Sequence, residues 1–220
     1  MYQIKELFNL EKTLAGDYLS AFCYPWEALG ELKDFIRTLG NSLTKGEYNE
    51  IAPEIWAHTS AKIAPSACLN GPCVIGAGAE IRHCAFLRGS VLVGKDCVVG
   101  NSTELKNVIL FDCVQVPHYN YVGDSILGYK AHMGAGAITS NVKSDKTPVV
   151  VRCGNECVET GLKKIGAMLG DFVEVGCGSV LNPGTIIGKN TIVYPLSCVR
   201  GTVAENSIYK TGGVVVAKRK

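Results

Sequence analysis

The sequence predicts a mainly β protein in which most of the chain winds into a parallel β-helix. The first observation is a six-residue period of large apolar residues that starts at Ile63. The second is a change of texture at Ile51, after which Gly, Ala, Val and Ile become frequent and helical spacing disappears. A six-residue period fits neither a helix nor a simple strand alternation. It is typical of one short strand and one turn per hexapeptide.

The period persists over nine consecutive positions: Ile63, Leu69, Ile75, Ile81, Leu87, Val93, Val99, Leu105 and Phe111. Since apolar residues make up 47% of the chain, nine in succession would rarely occur by chance. The same period returns later at Leu127, Met133, Leu169, Val175, Leu181, Ile187, Val193 and Val199. Stacked coils of this kind bury each apolar anchor between the coils above and below.

The N-terminal region predicts a pair of helices. In residues 1–22 apolar side chains recur three or four positions apart, and a second apolar face follows Pro25 and ends at Gly40. Residues 41–50 are polar and predict a linker. We therefore divide the chain into a helical cap and linker at 1–50 and a β-helix domain at 51–220. We expect the cap to close the N-terminal end of the β-helix, where unpaired strands would be exposed.

Two segments leave the six-residue period: Gln115–Ile126, which surrounds His118, and an excursion at 139–168. The excursion contains TPVVVRCGNECVET, which reads as two strands joined by a turn at Gly154-Asn155. We predict a hairpin that projects from the β-helix. Loops carried on a rigid scaffold are common places for function.

Composition excludes several classes of function. The formal charge is +2 and no basic stripe with interleaved aromatics is present, so no nucleic-acid partner is expected. The sequence contains no run of 18 apolar residues, so it predicts no membrane span, and its first residues lack the apolar core of a signal peptide. The ten cysteines lie mostly at repeat positions, which favours reduced thiols in a cytoplasmic protein. No tight cluster of ligands predicts a metal site.

The break around His118 is the candidate site. Arg88 and Lys106 are 18 residues apart, so they stack on adjacent coils if a coil holds three hexapeptides. Lys106 and His118 are 12 apart, which places them on neighbouring faces near one corner. Two cations beside a neutral imidazole suit a phosphate-binding site with a general base. The alternative is an ordinary structural or exposed histidine.

The motif VPHYNYVGDSILG…MGAGAITSN resembles the acetyltransferase domain of the bifunctional glucosamine-1-phosphate acetyltransferase / N-acetylglucosamine-1-phosphate uridyltransferase. The segment CVETGLKKIGAMLGDFVEVGCGSVLNPGTIIG is similar to the archaeal sugar-1-phosphate type, including its hairpin. The resemblance covers roughly residues 60–205. It implies a left-handed β-helix that works as a homotrimer, with acetyl-CoA as co-substrate and no metal requirement, in UDP-N-acetylglucosamine biosynthesis.

The resemblance also implies roles for individual residues. His118 matches the catalytic base that takes a proton from the sugar amine. The positions that match substrate-binding residues are Arg88, Lys106 and Tyr121 for the sugar phosphate and Glu104 near the amine. Asn141 matches an asparagine on the acetyl-CoA side. As our own hypothesis, backbone N–H groups at Gly134–Gly136 stabilise the tetrahedral oxyanion.

Several positions depart from the family pattern. His132 replaces a second sugar-binding asparagine, Val142 replaces a tyrosine, and Cys177 replaces a serine that lines the coenzyme site. The candidates for binding the coenzyme A phosphates are four lysines of the excursion, Lys143, Lys146, Lys163 and Lys164. These departures affect the identity of the sugar and the coenzyme contacts more than the reaction.

The predicted function is acetyl-CoA-dependent N-acetylation of an amino-sugar 1-phosphate, either glucosamine-1-phosphate or galactosamine-1-phosphate. Nothing before residue 60 resembles the Gly-rich nucleotide loop of the uridyltransferase half, so nucleotidyl transfer is not expected. Two alternatives stay open. One is a hexapeptide acyltransferase with a different sugar acceptor, which His132 permits. The other is a non-catalytic β-helix that serves as a scaffold or binds sugar phosphates.

Overall fold

The computed structural model describes residues 1–219, so residue 220, the last of the predicted β-helix domain, lies outside the described residues. Most of the chain forms stacked parallel coils with three faces. Successive coils pair in register, as in Cys73 with Val91 or Glu80 with Val98, an offset of 18 residues. The predicted fold class, a parallel β-helix with helical N-terminal segments and a projecting hairpin, is confirmed.

Strands on two of the faces belong to one 14-stranded sheet. On the first face, called here the covered face, the strands are Ile55–His58, Cys73–Ile75, Val91–Val93, Ala167–Leu169, Thr185–Ile187 and Thr202–Val203, with Tyr48–Ala52 added antiparallel. On the second, called the site face, they are Cys68–Leu69, Phe86–Leu87, Ile138–Thr139, Val180–Leu181 and Cys198–Val199. Two seven-residue strands, Glu104–Leu110 and Tyr121–Leu127, run around the corner and belong to both faces.

The third face is a separate nine-stranded sheet. Its strands are Lys62–Ile63, Glu80–Ile81, Val98–Asn101, Gln115–His118, His132–Met133, Glu174–Val175, Ile192–Val193 and Ser207–Tyr209, with Val215–Ala217 added antiparallel. The anchors of the six-residue period point inward on all three faces and are almost all buried. A Cβ at Gly94, which follows the anchor Val93, would lie 2.6 Å from the carbonyl carbon of Phe111. This close approach explains why glycine often follows an anchor.

The interruption predicted at Gln115–Ile126 is a shortening of two coils by one residue each. Leu105 is followed by the inward Leu110 after five residues, and Val122 by Leu127 after five, whereas the two steps between Leu110 and Val122 keep six. The offset between coils accordingly falls from 18 to 17. The six-residue period is interrupted here as the sequence indicates, but the segment stays within the coils, because both strands stay in the sheet and the lost residues flatten one corner.

Phe111, predicted as an anchor, is not one. Leu110 takes the inward position, and Phe111 occupies the place that Gly94 has one coil earlier. Its ring is fully buried on the outside of the coil, with its centroid 5.0 Å from that of Phe8. Phe111 therefore ties the N-terminal segment to the β-helix.

The N-terminal region holds five short helical segments instead of two long helices. They are the α-helices Ile4–Leu7, Gly16–Ser20 and Leu32–Ser42 and the 3₁₀ helices Leu10–Lys12 and Pro25–Leu29. Local side-chain bonds break the first predicted helix: Asn9 accepts from the N–H of Glu11, and Thr13 accepts from that of Ala15. Such bonds offer the backbone an alternative to a continuous helix. Part of the predicted linker is also strand, since Tyr48–Ala52 crosses residue 50.

The helical segments lie along the covered face rather than across the N-terminal end, which corrects the expected capping role. The central outward residues of this face form one apolar column that is at most 1% exposed: Val74, Leu92, Ile109, Ile126, Met168 and Ile186. Gly40 of the last helix packs on Trp56 of the first coil, and the Tyr2 hydroxyl accepts from Glu205 N–H in a late coil. The apolar column needs cover along its full length, and the N-terminal segment provides it.

The excursion contains the predicted hairpin, with strands Val150–Cys153 and Glu156–Glu159 paired antiparallel. It leaves the β-helix after Ile138–Thr139 and returns at Ala167–Leu169. Across the part of the chain that the structure describes, no helix has the length and apolar character needed to cross a membrane.

Candidate active site

Two columns of outward side chains cross the site face. Glu104 and Tyr121 are register partners in one column. Arg88 and Lys106 occupy the other, at equivalent positions of adjacent coils, because the neighbouring residues Leu87 and Leu105 are paired. The periodicity of the β-helix therefore brings four of the predicted substrate-binding residues onto one face.

His118 lies at the edge of this face, where the strand Gln115–His118 ends and the chain turns a corner. Within residues 1–219 its imidazole has no recorded hydrogen bond or ion pair, and the side chain is exposed. Its backbone is fixed, because its N–H donates to Oδ1 of Asn120 at 3.1 Å and its carbonyl accepts from Gly136 N–H. A histidine with a fixed backbone and a free ring is well placed to exchange a proton with a ligand.

Asn120 is a positioning residue that sequence reasoning missed. It is 2% exposed and its amide donates to the carbonyls of Gly134 and Ala137 at 2.8 and 3.0 Å. The corresponding positions of neighbouring coils are small, such as Ala85, Thr103 and Ala137. An amide in a column of small residues was the signal available in the sequence.

Each predicted phosphate-binding cation is paired with a carboxylate. Nη1 of Arg88 lies 2.7 Å from Oε1 of Glu104, and Nζ of Lys106 lies 2.8 Å from Oδ1 of Asp124. The Glu104 carboxylate raises the pKa of the Arg88 guanidinium. The sequence identified the cations but not this pairing, which holds both side chains in defined positions and leaves the group of four neutral.

Asp124 is the centre of a polar cluster at the flattened corner. It is 2% exposed and takes a left-handed backbone conformation with φ of 48°. Besides Lys106, its Oδ1 accepts from Nδ2 of Asn107 at 2.9 Å, and its Oδ2 accepts from Nδ2 of Asn141. The same Asn141 amide donates to the Tyr121 hydroxyl at 3.2 Å. Asn141 thus joins the root of the excursion to the site face.

Burial, with a smaller effect from the Asp124 charge, raises the pKa of the Tyr121 hydroxyl above its ordinary value of 10.0. Tyr121 therefore keeps its proton at neutral pH. Because the oxygen accepts from Asn141, the O–H proton stays available for a ligand on the site face.

His132 lies apart from these groups. It belongs to the third face, where it pairs in register with Gln115, three residues before His118 in the strand. Its Nδ1 is 2.8 Å from Oε2 of Glu174 in the next coil. The other predicted substrate-binding residues share the site face, whereas His132 is engaged at the far end of the neighbouring face.

The residues predicted to bind the coenzyme are spread above the site. Register places Ala135 one coil after His118 and Cys177 one coil after Ala135. His118 and Cys177 are therefore two coils, or roughly 10 Å, apart along the stack. Cys177 is exposed. Lys146 is exposed in the excursion, and Lys164 pairs with Val142 close to Asn141.

A cavity of about 300 Å³ lies at the root of the excursion. Its lining residues are Ser140, Val142, Lys143, Ser144, Asp145, Asn182, Pro183 and Arg200. The lining contains Lys143, one of the lysines predicted to meet the coenzyme, and Arg200, which the predicted coenzyme set did not include. Among the described residues no group of three His, Cys, Asp or Glu side chains has metal-binding geometry.

The oxyanion hypothesis is wrong for two of its three positions. The Gly134 N–H donates to the Val175 carbonyl at 2.7 Å, and the Gly136 N–H donates to the His118 carbonyl at 3.0 Å. These bonds hold the coils together and leave neither donor free. The Ala135 N–H, between them, has no recorded acceptor within residues 1–219.

Comparison with known proteins finds similar sequences over most of the chain. The family described as GMPPB C-terminal domain matches residues 69–153. The bifunctional protein GlmU of Methanococcus maripaludis is 30% identical over 206 residues, covering 92% of this chain and 50% of the relative. The chain is thus similar to GlmU over nearly all of its own length. The predicted relationship to the acetyltransferase part of these bifunctional proteins is confirmed.

Two further relatives carry related names. A bifunctional sugar-1-phosphate nucleotidylyltransferase/acetyltransferase of Sulfurisphaera tokodaii is 29% identical over 126 residues, covering 57% of this chain and 31% of the relative. A putative uncharacterized acetyltransferase, YaiX, of Escherichia coli is 31% identical over 147 residues, covering 67% and 64%. The chain spans about half or less of the length of the bifunctional relatives.

Proposed function

We propose that this chain is an acetyl-CoA-dependent N-acetyltransferase that acts on an amino-sugar 1-phosphate, with glucosamine-1-phosphate and galactosamine-1-phosphate as candidate acceptors. The observation that carries the proposal is the free imidazole of His118 at the edge of the face that holds Arg88 and Lys106. A base next to phosphate ligands suits a substrate that joins an amine to a phosphate.

In the proposed reaction, His118 accepts a proton from the neutral sugar amine as the nitrogen attacks the thioester carbonyl. A tetrahedral intermediate forms, and its negative oxygen is stabilised by the free N–H of Ala135, one coil above His118. Collapse of the intermediate breaks the C–S bond. The protonated His118 then returns the proton to the thiolate, giving the N-acetyl sugar phosphate and free coenzyme A.

Arg88, Lys106 and the Tyr121 hydroxyl hold the sugar phosphate in this proposal, and Glu104 lies near the amine. The carboxylate partner of each cation keeps its side chain extended, so little rotamer entropy is lost when the phosphate binds. Asn141 and Cys177 contact acetyl-CoA, and the excursion lysines Lys146 and Lys164 meet its phosphates.

We also propose a homotrimer, since two faces of the β-helix lack a cover like that of the covered face. A cytoplasmic location fits the ten free thiols. The product would serve UDP-N-acetylglucosamine biosynthesis. The name of the Sulfurisphaera relative, which combines sugar-1-phosphate and acetyltransferase, supports the proposed acetyl transfer to a sugar 1-phosphate.

A second candidate is acyl transfer to a different amino sugar, such as one linked to a nucleotide. It is favoured by the neutral balance of the Arg88–Glu104 and Lys106–Asp124 pairs and by the engagement of His132 with Glu174. A non-catalytic sugar-phosphate-binding scaffold is the remaining alternative.

The test is release of thiol from acetyl-CoA in the presence of glucosamine-1-phosphate or galactosamine-1-phosphate, with wild type and His118→Ala compared. Release that requires one sugar phosphate and His118 supports the proposal and names the acceptor. Binding of acetyl-CoA without release would favour the different acceptor. Neither binding nor release would make the scaffold the best description.

A further inference from the structure

Asp124 differs from an ordinary structural aspartate in the donors it receives. All three recorded donors to its carboxylate are side chains: Lys106, Asn107 and Asn141. It makes no turn or helix cap with its carboxylate. Two of the three donors are proposed to bind ligands: Lys106 binds the sugar phosphate and Asn141 contacts acetyl-CoA.

The two carboxylate oxygens divide these roles. Oδ1 holds Lys106 and Asn107, and Oδ2 holds Asn141. The carboxylate has little freedom to turn, because Asp124 is buried at a corner with positive φ and its carbonyl accepts from Gly166 N–H at 2.8 Å. Lys106 and Asn141 therefore share one fixed carboxylate, and a change in the positive charge that Lys106 brings to it is felt by the bond to Asn141.

Burying a carboxylate is costly unless its partners are well ordered. Here the charge of Asp124 is compensated by Lys106, Asn107 and Asn141 together. A phosphate that draws charge from Lys106 leaves more of the Asp124 charge to Asn141, so the Asn141 amide is held more firmly for the second ligand.

We infer that Asp124 is a positioning residue that couples the two substrates, so that binding of the sugar phosphate at Lys106 strengthens binding of the coenzyme at Asn141. This inference rests on the proposed function. It adds a reciprocal linkage between the two binding events, which must act equally in both directions. Binding is therefore ordered in effect, and acetyl-CoA is held most tightly when an acceptor is present.

The experiment measures the affinity of coenzyme A by calorimetry with and without a saturating amino-sugar 1-phosphate, a pair that cannot react. In the wild type the sugar phosphate should tighten coenzyme A binding by about 5-fold or more. In Asp124→Asn the ratio should fall to within about twofold of one. In the amide one of the two oxygens becomes an NH₂ donor, so either the Lys106 side or the Asn141 side loses its acceptor.

The matched control is Asp171→Asn, which alters another buried aspartate with a lysine partner, Lys189, but with backbone donors, the N–H groups of Asn9 and Tyr129. It should leave the ratio unchanged. A second variant, Asn141→Leu, removes the other end of the bridge. In this variant the ratio of coenzyme A affinities with and without the sugar phosphate should fall to about one, while the affinity for the sugar phosphate alone stays within about twofold of wild type. The inference can therefore be tested even if Asp124→Asn does not fold.

The outcomes separate this inference from the proposed function. If the wild type binds neither ligand, the proposed function fails and the coupling with it. If the wild type binds both ligands but with a ratio near one, or if Asp124→Asn or Asn141→Leu keeps the wild-type ratio, only the role of Asp124 is refuted.

Discussion

The covered face and the site face both point apolar anchors into the β-helix, but their outward residues differ in polarity and burial. On the covered face the outward column is apolar and fully buried under the N-terminal segment. On the site face the equivalent column contains Glu104 and Tyr121, which remain accessible. Each side also has one nearly buried aspartate paired with a lysine, Asp171 and Asp124 respectively.

The two aspartates show what the difference means. Asp171 accepts from the backbone N–H groups of Asn9 and Tyr129, so it fastens the N-terminal segment to the coils. The recorded donors to the Asp124 carboxylate are side chains, and two of them, Lys106 and Asn141, belong to the candidate site. One scaffold therefore uses the same residue type for assembly on one side and for the arrangement of binding groups on the other. Substitutions on the covered face should affect stability, and those on the site face should affect activity.

The largest effect is expected for His118→Ala. Loss of the proposed general base should lower the rate of acetyl transfer by about 10²–10⁴-fold, measured as thiol release. The melting temperature should stay near that of the wild type, because the side chain is exposed and has no recorded partner within residues 1–219.

His83→Ala is the matched control for this change. His83 is exposed at the equivalent position two coils earlier, since Glu80 pairs with Val98 and Asn101 pairs with His118. Its replacement should leave the rate within about twofold of wild type. Equal losses in both variants would contradict a specific role for His118.

The second effect is expected on the covered face. Ile109→Ala should reduce the free energy of unfolding by about 2–5 kcal/mol, because it leaves a cavity between the coils and the N-terminal segment. Denaturant titration measures this loss. Ile192→Ala changes an outward isoleucine of the third face that is only half-buried, and it should cost clearly less. A similar loss in both variants would mean that the covered face is not a distinct core.

A third, smaller effect is expected for Asp171→Asn. Its amide keeps one acceptor oxygen, so one of the N–H groups of Asn9 and Tyr129 loses its partner. The free energy of unfolding should fall by about 1–3 kcal/mol. Acetyl transfer per folded molecule should not change, and a drop in that rate would break the division between the two faces.

The smallest effect is expected in the pH dependence of stability, when the wild type is compared with Asp171→Asn. Burial raises the pKa of Asp171 above its ordinary value of 3.8, with the Tyr129 N–H and Lys189 opposing the shift. A raised folded-state pKa gives a stability contribution that is complete below pH 3.8 and is lost as pH rises through the raised pKa. The melting temperature of the wild type minus that of Asp171→Asn should therefore be largest at acid pH and should decrease toward neutral pH. A difference that is flat or that grows toward neutral pH would count against this assignment.

The sequence by itself determined the period, the class of fold and the chemistry of the candidate site. Inward positions must be apolar at a fixed spacing, and that constraint can be read without coordinates. The same spacing puts Arg88 and Lys106 in one column. The covered face was also detectable in principle, since its strands carry three apolar residues in succession, as in Val91–Val93, rather than one.

The tertiary structure alone decided three points. It moved the N-terminal helices from the end to the side, because the apolar column needs cover along its whole length. It showed that the interruption near His118 is the loss of one residue from each of two coils, which depends on pairing between coils. It also gave Asp124 its partners, since Lys106, Asn107 and Asn141 are 17 or more residues distant in the chain. Contacts across coils depend on the exact register, and a single-residue slip changes every one of them.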